Sequence, residues 1–200
     1  MVLPPNFRIL FLPTGLIMRK LTHDELKSNR FTPDELQTAG RMPVVVLVDN
    51  VRSLYNIGSI FRTSDAVRVQ KLYLTGFTPH PPRKEIEKTA LGATKTVPWE
   101  YFKNQSDAIA AIKQEGFRIC LLEQTTGSIP HTSLTKEHLP LCLVIGNEIT
   151  GISREIIDTA DMAIEIPMHG LKQSLNVAVA YGIAIYQCAH VASEAVPRKT

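Results

Sequence analysis

Short apolar segments rich in β-branched residues alternate with helix-periodic segments from residue 44 onward. Strands made of continuous apolar residues are typical of parallel sheets, because the connecting helices bury both faces of such a sheet. The alternation therefore predicts the α/β fold class, with a mainly parallel sheet and helices on both faces. The predicted strands are Val44–Val48, Leu72–Thr75, Arg118–Leu122, Leu141–Ile145 and Ala163–Ile166. The predicted helices begin near Asn56, Lys84, Ser106, Ser153 and Leu175.

The segment before the first strand differs from the rest of the chain in composition. Two short helices are predicted within Leu21–Gly40, with Thr22 and Thr32 as their N-cap residues. We interpret residues 1–42 as a helical N-terminal extension and residues 43–200 as one domain.

Composition excludes several classes of protein. With 44% hydrophobic and 20% charged residues, the chain is neither disordered nor fibrous. No apolar run reaches the ~18 residues that a membrane span needs, and residues 1–6 lack the layout of a secretion signal, so we expect a cytoplasmic protein without a membrane partner. The three cysteines, Cys120, Cys142 and Cys188, lack C-x-x-C spacing, which favours buried thiols over a metal or redox site.

Three segments place polar residues directly after an apolar strand: Asp49–Ala66, Leu141–Ser153 and Ile166–Ala180. Ligands of open α/β sheets bind beyond the carboxyl ends of the strands, so the three loops are candidates for one binding site. In the third segment, Ser174 or Asn176 could cap the following helix. The chain contains no G-x-G-x-x-G turn and no P-loop, which disfavours a dinucleotide enzyme.

Together the three segments resemble the sequence motifs of the SpoU/TrmH branch of the SPOUT methyltransferases. Members of this family transfer a methyl group from S-adenosyl-L-methionine to a ribose 2′-hydroxyl of RNA. The resemblance covers roughly residues 43–191, with the motifs in the expected order and spacing. It implies S-adenosyl-L-methionine as cofactor, tRNA or rRNA as partner, a deep C-terminal trefoil knot, and a homodimer whose active sites lie near the subunit interface.

The resemblance also implies which residues take part in catalysis. The matching positions are Asn56 and Arg62 in the first motif, Glu148 in the second, and Ser174 and Asn176 in the third. Glu148 would orient Arg62 or its neighbours through hydrogen bonds. The uncharged side chains would supply donors and acceptors around the target nucleotide.

Six positions are predicted to hold the cofactor: Gly146, Ile166, Leu175, Met168, Glu123 and Gln124. The first three match family positions whose main chain contacts the cofactor. Gly146 would let the backbone approach the ligand closely, because glycine has no side chain. Glu123 and Gln124 follow another strand and would form a further wall of the pocket. We expect no metal ligand.

Arg62 is predicted to lie outside the apolar stripe of its helix. That stripe keeps helical spacing and consists of Ile57, Ile60, Phe61 and Ser64. An exposed arginine there either pairs with Asp65 or contacts RNA. Its planar guanidinium suits bidentate binding of a phosphate next to the target ribose. A role as the base that accepts the hydroxyl proton is only a hypothesis, since the guanidinium pKa is ~12 or more.

Charge is distributed unevenly along the chain. Residues 52–103 hold nine Lys or Arg and four Asp or Glu, whereas residues 104–200 hold seven and ten. A polyanion is therefore expected to contact the surface formed by the first half, although a solvated charged face is the alternative. The N-terminal extension could also touch RNA, or it could cover a sheet edge, which we favour.

The last predicted helix is apolar nearly all round between residues 177 and 191, so more than one of its sides should be buried. A partner subunit or a loop of the same chain could cover the second side.

Three questions of function stay open at the level of sequence. A non-catalytic RNA-binding module and a methyltransferase that acts on a base are the alternatives to a ribose methyltransferase. The short segments before residue 43 and after residue 191 leave tRNA and rRNA both possible as substrates.

Overall fold

The computed structural model of the chain describes residues 18–28 and 30–193. The expectation about residues 1–6 lies outside this range. The described residues form two compact units, residues 18–39 and residues 40–193. The division into an extension and a methyltransferase domain stays a prediction.

The first unit contains the two predicted short helices, α1 (His23–Ser28) and α2 (Pro33–Thr38). Thr22 is the N-cap of α1, because its hydroxyl accepts a hydrogen bond from the Glu25 backbone N–H and the Glu25 carboxylate accepts one from the Thr22 N–H. Thr32 begins α2 with the same reciprocal arrangement. Both cap predictions are confirmed.

Within residues 40–193 the strands form a seven-stranded, all-parallel sheet in the order β3-β2-β1-β6-β4-β7-β5. The strands are β1 (Met42–Asp49), β2 (Val69–Thr75), β3 (Trp99–Phe102), β4 (Arg118–Leu122), β5 (Ile129–Pro130), β6 (Leu141–Ile145) and β7 (Met162–Glu165). The helices of this unit are α3 (Leu54–Ala66), α4 (Lys84–Ala90), α5 (Gln105–Gln114), α6 (Arg154–Ile157) and α7 (Val177–Val191).

All five predicted strands are present, with β7 shifted by one residue towards the N-terminus. Two short strands, β3 and β5, were not predicted. β3 carries half-exposed and charged residues, and β5 is only two residues long and contains Pro130, so neither has an apolar pattern that marks a strand. Their pairing with β2 and β7 creates them.

Alternate residues of β1 enter two hydrophobic cores on opposite faces of the sheet. Val44, Val46 and Val48 pack with residues of α3, α4 and α7. Val45 and Leu47 pack with residues of α5 and α6. The prediction of helices on both faces is confirmed. No helix among the described residues is long and apolar enough to cross a membrane.

The three cysteines are buried, as predicted. Burial raises the pKa of the Cys120 and Cys188 thiols to about 12 and also raises that of Cys142. All three thiols therefore stay protonated at neutral pH and are poor nucleophiles.

Helix α7 lies with one face in the core and leaves another face exposed within the described residues. Tyr181 and Ala184 are fully buried, whereas Val179, Ile183 and Tyr186 are 52%, 38% and 56% exposed. One of the two alternatives was that a loop of the same chain covers the second side of α7. No described residue covers that side. The trefoil knot stays a prediction.

A buried hydrogen bond of 2.6 Å joins the Tyr181 hydroxyl of α7 to the Ser64 hydroxyl of α3. Ser64 donates its own proton to the Ile60 carbonyl at 2.7 Å, so the bond to Tyr181 is donated by the tyrosine. Burial raises the pKa of Tyr181, which keeps this donor protonated. The bond fixes α7 against the helix that begins in the first motif.

We expect Ser64→Ala to lower the free energy of unfolding by about 1–3 kcal/mol, because it leaves the buried Tyr181 hydroxyl without an acceptor. Tyr181→Phe should cost only about 0.5–1.5 kcal/mol, since Ser64 still donates to Ile60. Urea unfolding of the two variants measures this difference. Ser59→Ala is the matched control, because the Ser59 hydroxyl also donates to the carbonyl four residues earlier, that of Tyr55, but forms no bond to a tyrosine hydroxyl. A larger loss for Tyr181→Phe than for Ser64→Ala would contradict the assigned direction of the bond.

Candidate functional site

A cavity of about 570 Å³ opens at the carboxyl ends of β4, β6 and β7. Small-molecule sites typically have volumes of ~300–1,000 Å³. The six residues predicted to hold a cofactor all line this cavity: Glu123, Gln124, Gly146, Ile166, Met168 and Leu175. The structure thus brings them together, while their role in binding stays a prediction.

Sequence reasoning missed several residues of the same wall. The polar ones are Asn147, Glu165 and Gln173, and the apolar ones include Leu122, Ile145 and Val177. The Glu165 carboxylate accepts a hydrogen bond of 2.6 Å from the Ser128 hydroxyl. An acidic residue at the very end of an apolar strand is the signal that could have identified Glu165.

Glu123 and Gln124 tie the loops of the cavity to one another. Gln124 Nε2 donates to the Gln173 carbonyl at 2.6 Å, which connects the end of β4 to the loop between β7 and α7. Glu123 Oε2 accepts a hydrogen bond of 3.4 Å from the Ile152 N–H in the loop after β6. These bonds hold the mouth of the cavity in one arrangement.

The structure gives a reason for the glycine at position 146 that the sequence did not show, while its predicted contact with the cofactor stays a prediction. A Cβ at Gly146 would lie 2.5 Å from the Ile152 nitrogen and 2.6–2.7 Å from backbone atoms of Gly151. The close approach at this position is therefore made by the chain's own loop. A side chain here would collide with that loop before it could fill the cavity.

One hydrogen-bonded chain joins the three motifs. Asn56 Nδ2 donates to Glu148 Oε1 at 2.9 Å, and Asn176 Nδ2 donates to Asn56 Oδ1 at 3.3 Å. Asn176 Oδ1 accepts from the Ala178 N–H and so caps α7, which settles the choice between Ser174 and Asn176 as the cap. Glu148 lies on the cavity wall, so this chain leads from α3 and α7 to the cavity.

The predicted start of the first helix is corrected. Helix α3 begins at Leu54, because the Ser53 hydroxyl accepts from the Asn56 N–H and acts as N-cap, which places the start before the predicted Asn56. The Glu148 carboxylate accepts its hydrogen bond from Asn56, which lies in the same motif as Arg62, and no hydrogen bond joins it to Arg62 among the described residues. Its role in orienting Arg62 or its neighbours stays a prediction.

Arg62 is exposed on α3, as its position outside the apolar stripe predicted. It forms no ion pair or hydrogen bond with any residue that the structure describes, so the pairing with Asp65 is not present. Asp65 instead accepts a hydrogen bond of 2.5 Å from the Thr96 hydroxyl. Ser174 lines the cavity and is exposed.

A polar pair at the end of β1 supports the whole site, although we predicted no role for it. The Asp49 carboxylate is fully buried and accepts hydrogen bonds from the Ser153 N–H at 2.7 Å and from Gln105 Nε2 at 3.0 Å. Asn50 has a positive φ of 55°, and its carbonyl accepts from Asn147 Nδ2 at 2.8 Å. The pair thus anchors the loop that carries Gly146 and Glu148.

The described residues contain no group of three or more His, Cys, Asp or Glu side chains arranged to hold a metal ion. The all-parallel sheet, with polar loops around a cavity at the carboxyl ends of its strands, is typical of α/β proteins that bind a small ligand at that position. The sequence profile of the SpoU rRNA Methylase family matches residues 43–186, and the chain belongs to that family.

Similar relatives include RNA methyltransferases of two kinds. A tRNA (guanosine(18)-2'-O)-methyltransferase of Aquifex aeolicus is 38% identical over 147 residues, which are 72% of this chain and 67% of the relative. The enzyme of the same name from Escherichia coli is 31% identical over 74% of this chain and 64% of the relative. A 23S rRNA (guanosine-2'-O-)-methyltransferase of Vibrio parahaemolyticus is 29% identical over 86% of this chain and 68% of the relative. The matches span about two thirds of the length of these relatives.

Two solved structures support the fold. The Aquifex aeolicus TrmH/SpoU tRNA modifying enzyme superposes with a TM-score of 0.68 at 33% identity, covering 81% of this chain and 84% of that one. An AdoMet-bound rRNA methyltransferase from Sinorhizobium meliloti gives a TM-score of 0.69 at 28% identity, covering 80% and 61%.

We expect Gly146→Ala to lower the free energy of unfolding by about 1–3 kcal/mol, because the new methyl group displaces the backbone at residues 151 and 152. Gly170→Ala is the matched control, since a Cβ at Gly170 meets no atom within 4 Å and the residue lies in the neighbouring cavity loop. That control should change the unfolding free energy by less than about 0.5 kcal/mol. Equal urea midpoints for the two variants would show that the loop near Gly146 yields without cost.

Proposed function

We propose that this protein transfers a methyl group from S-adenosyl-L-methionine to a ribose 2′-hydroxyl of RNA. The observation that carries the proposal is the meeting of three family motifs at one cavity, through the chain of Asn176, Asn56 and Glu148. Membership of the SpoU family and the names of the relatives support the same activity.

The cavity fits the proposed cofactor in charge and polarity. Three carboxylates line it, which suits a ligand that carries a sulfonium and an ammonium group: Glu123, Glu148 and Glu165. Apolar side chains such as Leu122, Ile145 and Met168 offer surface for the adenine ring. When bound, the cofactor supplies an electrophilic methyl group on a positively charged sulfur. The similar Sinorhizobium meliloti enzyme is named as AdoMet-bound.

The polar side chains near the cavity would position the ribose. Asn56 holds one oxygen of the Glu148 carboxylate, and the other oxygen accepts no hydrogen bond from a described residue. That second oxygen is available to a hydroxyl group of the RNA. Positioning of this kind is a large part of catalysis in a direct displacement, because the attacking oxygen must be held ~3–3.5 Å from the methyl carbon.

Arg62 would hold a phosphate of the RNA. Its side chain is exposed and is not engaged by other described residues, so its planar guanidinium can form two charge-assisted hydrogen bonds with phosphate oxygens. Proton acceptance by Arg62 stays a hypothesis, because a guanidinium is protonated at neutral pH.

Methylation of a base and RNA binding without catalysis are the alternatives. Digestion of methylated RNA to nuclease-resistant dinucleotides distinguishes ribose from base methylation, because only a 2′-O-methyl group protects the adjacent phosphodiester. The relatives include enzymes named as tRNA methyltransferases and as rRNA methyltransferases, so either RNA could be the substrate of this protein. Mapping of methylated nucleotides in RNA from a deletion strain identifies the substrate.

We expect Arg62→Ala to lower turnover at saturating RNA by about 100-fold or more, and Arg62→Lys should not restore it, because a point charge cannot replace the planar fork. Radiolabelled methyl transfer measures turnover, while calorimetry and urea unfolding should show unchanged cofactor binding and stability. Lys88→Ala, which removes an exposed cation from α4, is the control. Near-normal turnover of Arg62→Ala would overturn the assignment.

We also propose a homodimer that buries the exposed face of α7. Val179, Ile183 and Tyr186 follow the spacing i, i+4 and i+7 and so share one face of the helix. Two small residues of the same helix are poor probes of this interface. Ala184 is fully buried in the core of the protomer, and Ala180 lines the cavity, so neither tests the interface cleanly.

We expect Ile183→Glu to convert the dimer to a monomer, because a charge would be buried in an apolar contact. Light scattering measures the change in mass, and methyl transfer should fall in parallel. Ala110→Glu is the control, since Ala110 is exposed on α5, which packs on the opposite face of the sheet. A wild-type protein that is monomeric at assay concentration and fully active would contradict the proposal.

A further inference from the structure

The carboxyl edge of the sheet has two halves, and the cavity occupies only one of them. In the order β3-β2-β1-β6-β4-β7-β5, the cavity lies beyond β6, β4 and β7. The segments that follow β1, β2 and β3 therefore form a separate surface beside it. The exposed residues there include one shortly after each strand: Arg52, Phe77 and Lys103.

The turn that carries Phe77 is held by hydrogen bonds on both sides. The Phe77 N–H donates to Asn50 Oδ1 at 3.1 Å. The Gly76 carbonyl accepts from the Tyr101 hydroxyl at 2.7 Å. The buried Thr78 hydroxyl donates to the Val48 carbonyl and accepts from the Val51 N–H, both at 3.2 Å. The turn is thus fixed before any ligand arrives.

Gly76 adds a steric constraint to the same turn. Its φ is +64°, and a Cβ there would lie 2.1 Å from Asn50 Oδ1. The close contact between the turn and Asn50 therefore requires a glycine.

This fixed turn presents the Phe77 ring to solvent. The residue is 56% exposed, and the Arg52 guanidinium carbon lies 5.3 Å from the ring centroid. A single exposed apolar residue is ordinary on protein surfaces. Here, however, hydrogen bonds at Gly76, Phe77 and Thr78 fix the turn that carries the ring. With the Arg52 guanidinium over it, the ring forms a flat and cationic platform. Nucleic-acid bases stack on aromatic rings and on arginine planes.

Charge separates the two halves of the edge. The cavity wall carries three carboxylates, whereas the segments after β1 to β3 carry Arg52, Arg83 and Lys103, and α4 begins with Lys84. A polyanion is attracted to the second half and repelled from the first. Asn50 connects the two halves, because its side chain holds Phe77 and its carbonyl holds Asn147 of the cavity wall.

We propose that Phe77, together with Arg52, stacks an unpaired base of the RNA that lies next to the ribose at the cavity. The inference rests on the proposed function, since it places the same RNA on the neighbouring surface. The base must be unpaired, because a ring on the protein surface cannot reach the stacked faces of bases inside a duplex. The surface would therefore select flexible loops or single-stranded segments of RNA.

The first test is binding of a fluorescein-labelled single-stranded RNA of roughly 12 nucleotides, a length that spans typical single-strand sites. We expect Phe77→Ala to weaken binding by about fivefold or more, Phe77→Trp to restore it, and Arg52→Ala to weaken it as well. A duplex of the same sequence should be insensitive to Phe77→Ala. Leu91→Ala is the matched control. Leu91 is 66% exposed and follows α4, where the chain returns towards the amino end of β3, away from the carboxyl ends of the strands. Urea unfolding confirms that each variant is folded.

The second test is methyl transfer to the RNA that the wild-type protein modifies. Phe77→Ala should raise the KM for RNA by about fivefold or more, with kcat and cofactor affinity changed much less. If Phe77→Ala changed neither single-strand binding nor the KM for RNA, the stacking role would be overturned. The surface around Phe77 would then be assigned to a protein partner. Phe77-dependent RNA binding by a protein that methylates no RNA would instead preserve the surface and reject the proposed function.

Discussion

The buried carboxylate of Asp49 is the contact on which the arrangement of the strand ends depends. A carboxylate in the interior is stable only when its oxygens accept hydrogen bonds. Asp49 obtains them from Ser153 in the loop after β6, from Gln105 at the start of α5, and from the side chain of Asn50. Asn50 in turn holds Asn147 and the turn after β2. One acceptor at the end of β1 therefore sets the positions of loops that are far apart in sequence.

The division of the carboxyl edge into an acidic half and a basic half is consistent with one RNA methyltransferase site. A cofactor with a sulfonium and an ammonium group is favoured by the carboxylates Glu123, Glu148 and Glu165. RNA is favoured by the cations on the other side of β1. The cofactor and the RNA must meet for the proposed reaction. The target ribose is therefore expected at the boundary between the acidic half and the basic half of the carboxyl edge. Asn56 and Glu148 lie at that boundary, since α3 follows β1 and Glu148 follows β6.

Helices α3 and α7 link this chemistry to assembly. Ser64 and Tyr181 fix the two helices to each other in the core, while Asn56 and Asn176 meet at their N-termini. A shift of α7 at a subunit interface would therefore move Asn176 and, through Asn56, the carboxylate on the cavity wall. The proposed dimer contact and the proposed site are mechanically connected by one helix.

The amino-acid sequence alone determined the α/β class, the five apolar strands and the grouping of the motif residues at the strand ends, because continuous apolar runs and helical periodicity are local properties of the chain. It also placed Arg62 outside the core, since the stripe of α3 is a property of spacing. Tertiary structure decided the rest. Strand β3 exists only through pairing with β2, and Gly146 is required by a loop of the same chain. The roles of Asp49 and of the Phe77 turn depend on hydrogen bonds between residues that are distant in sequence, and no local pattern encodes which donor reaches which acceptor.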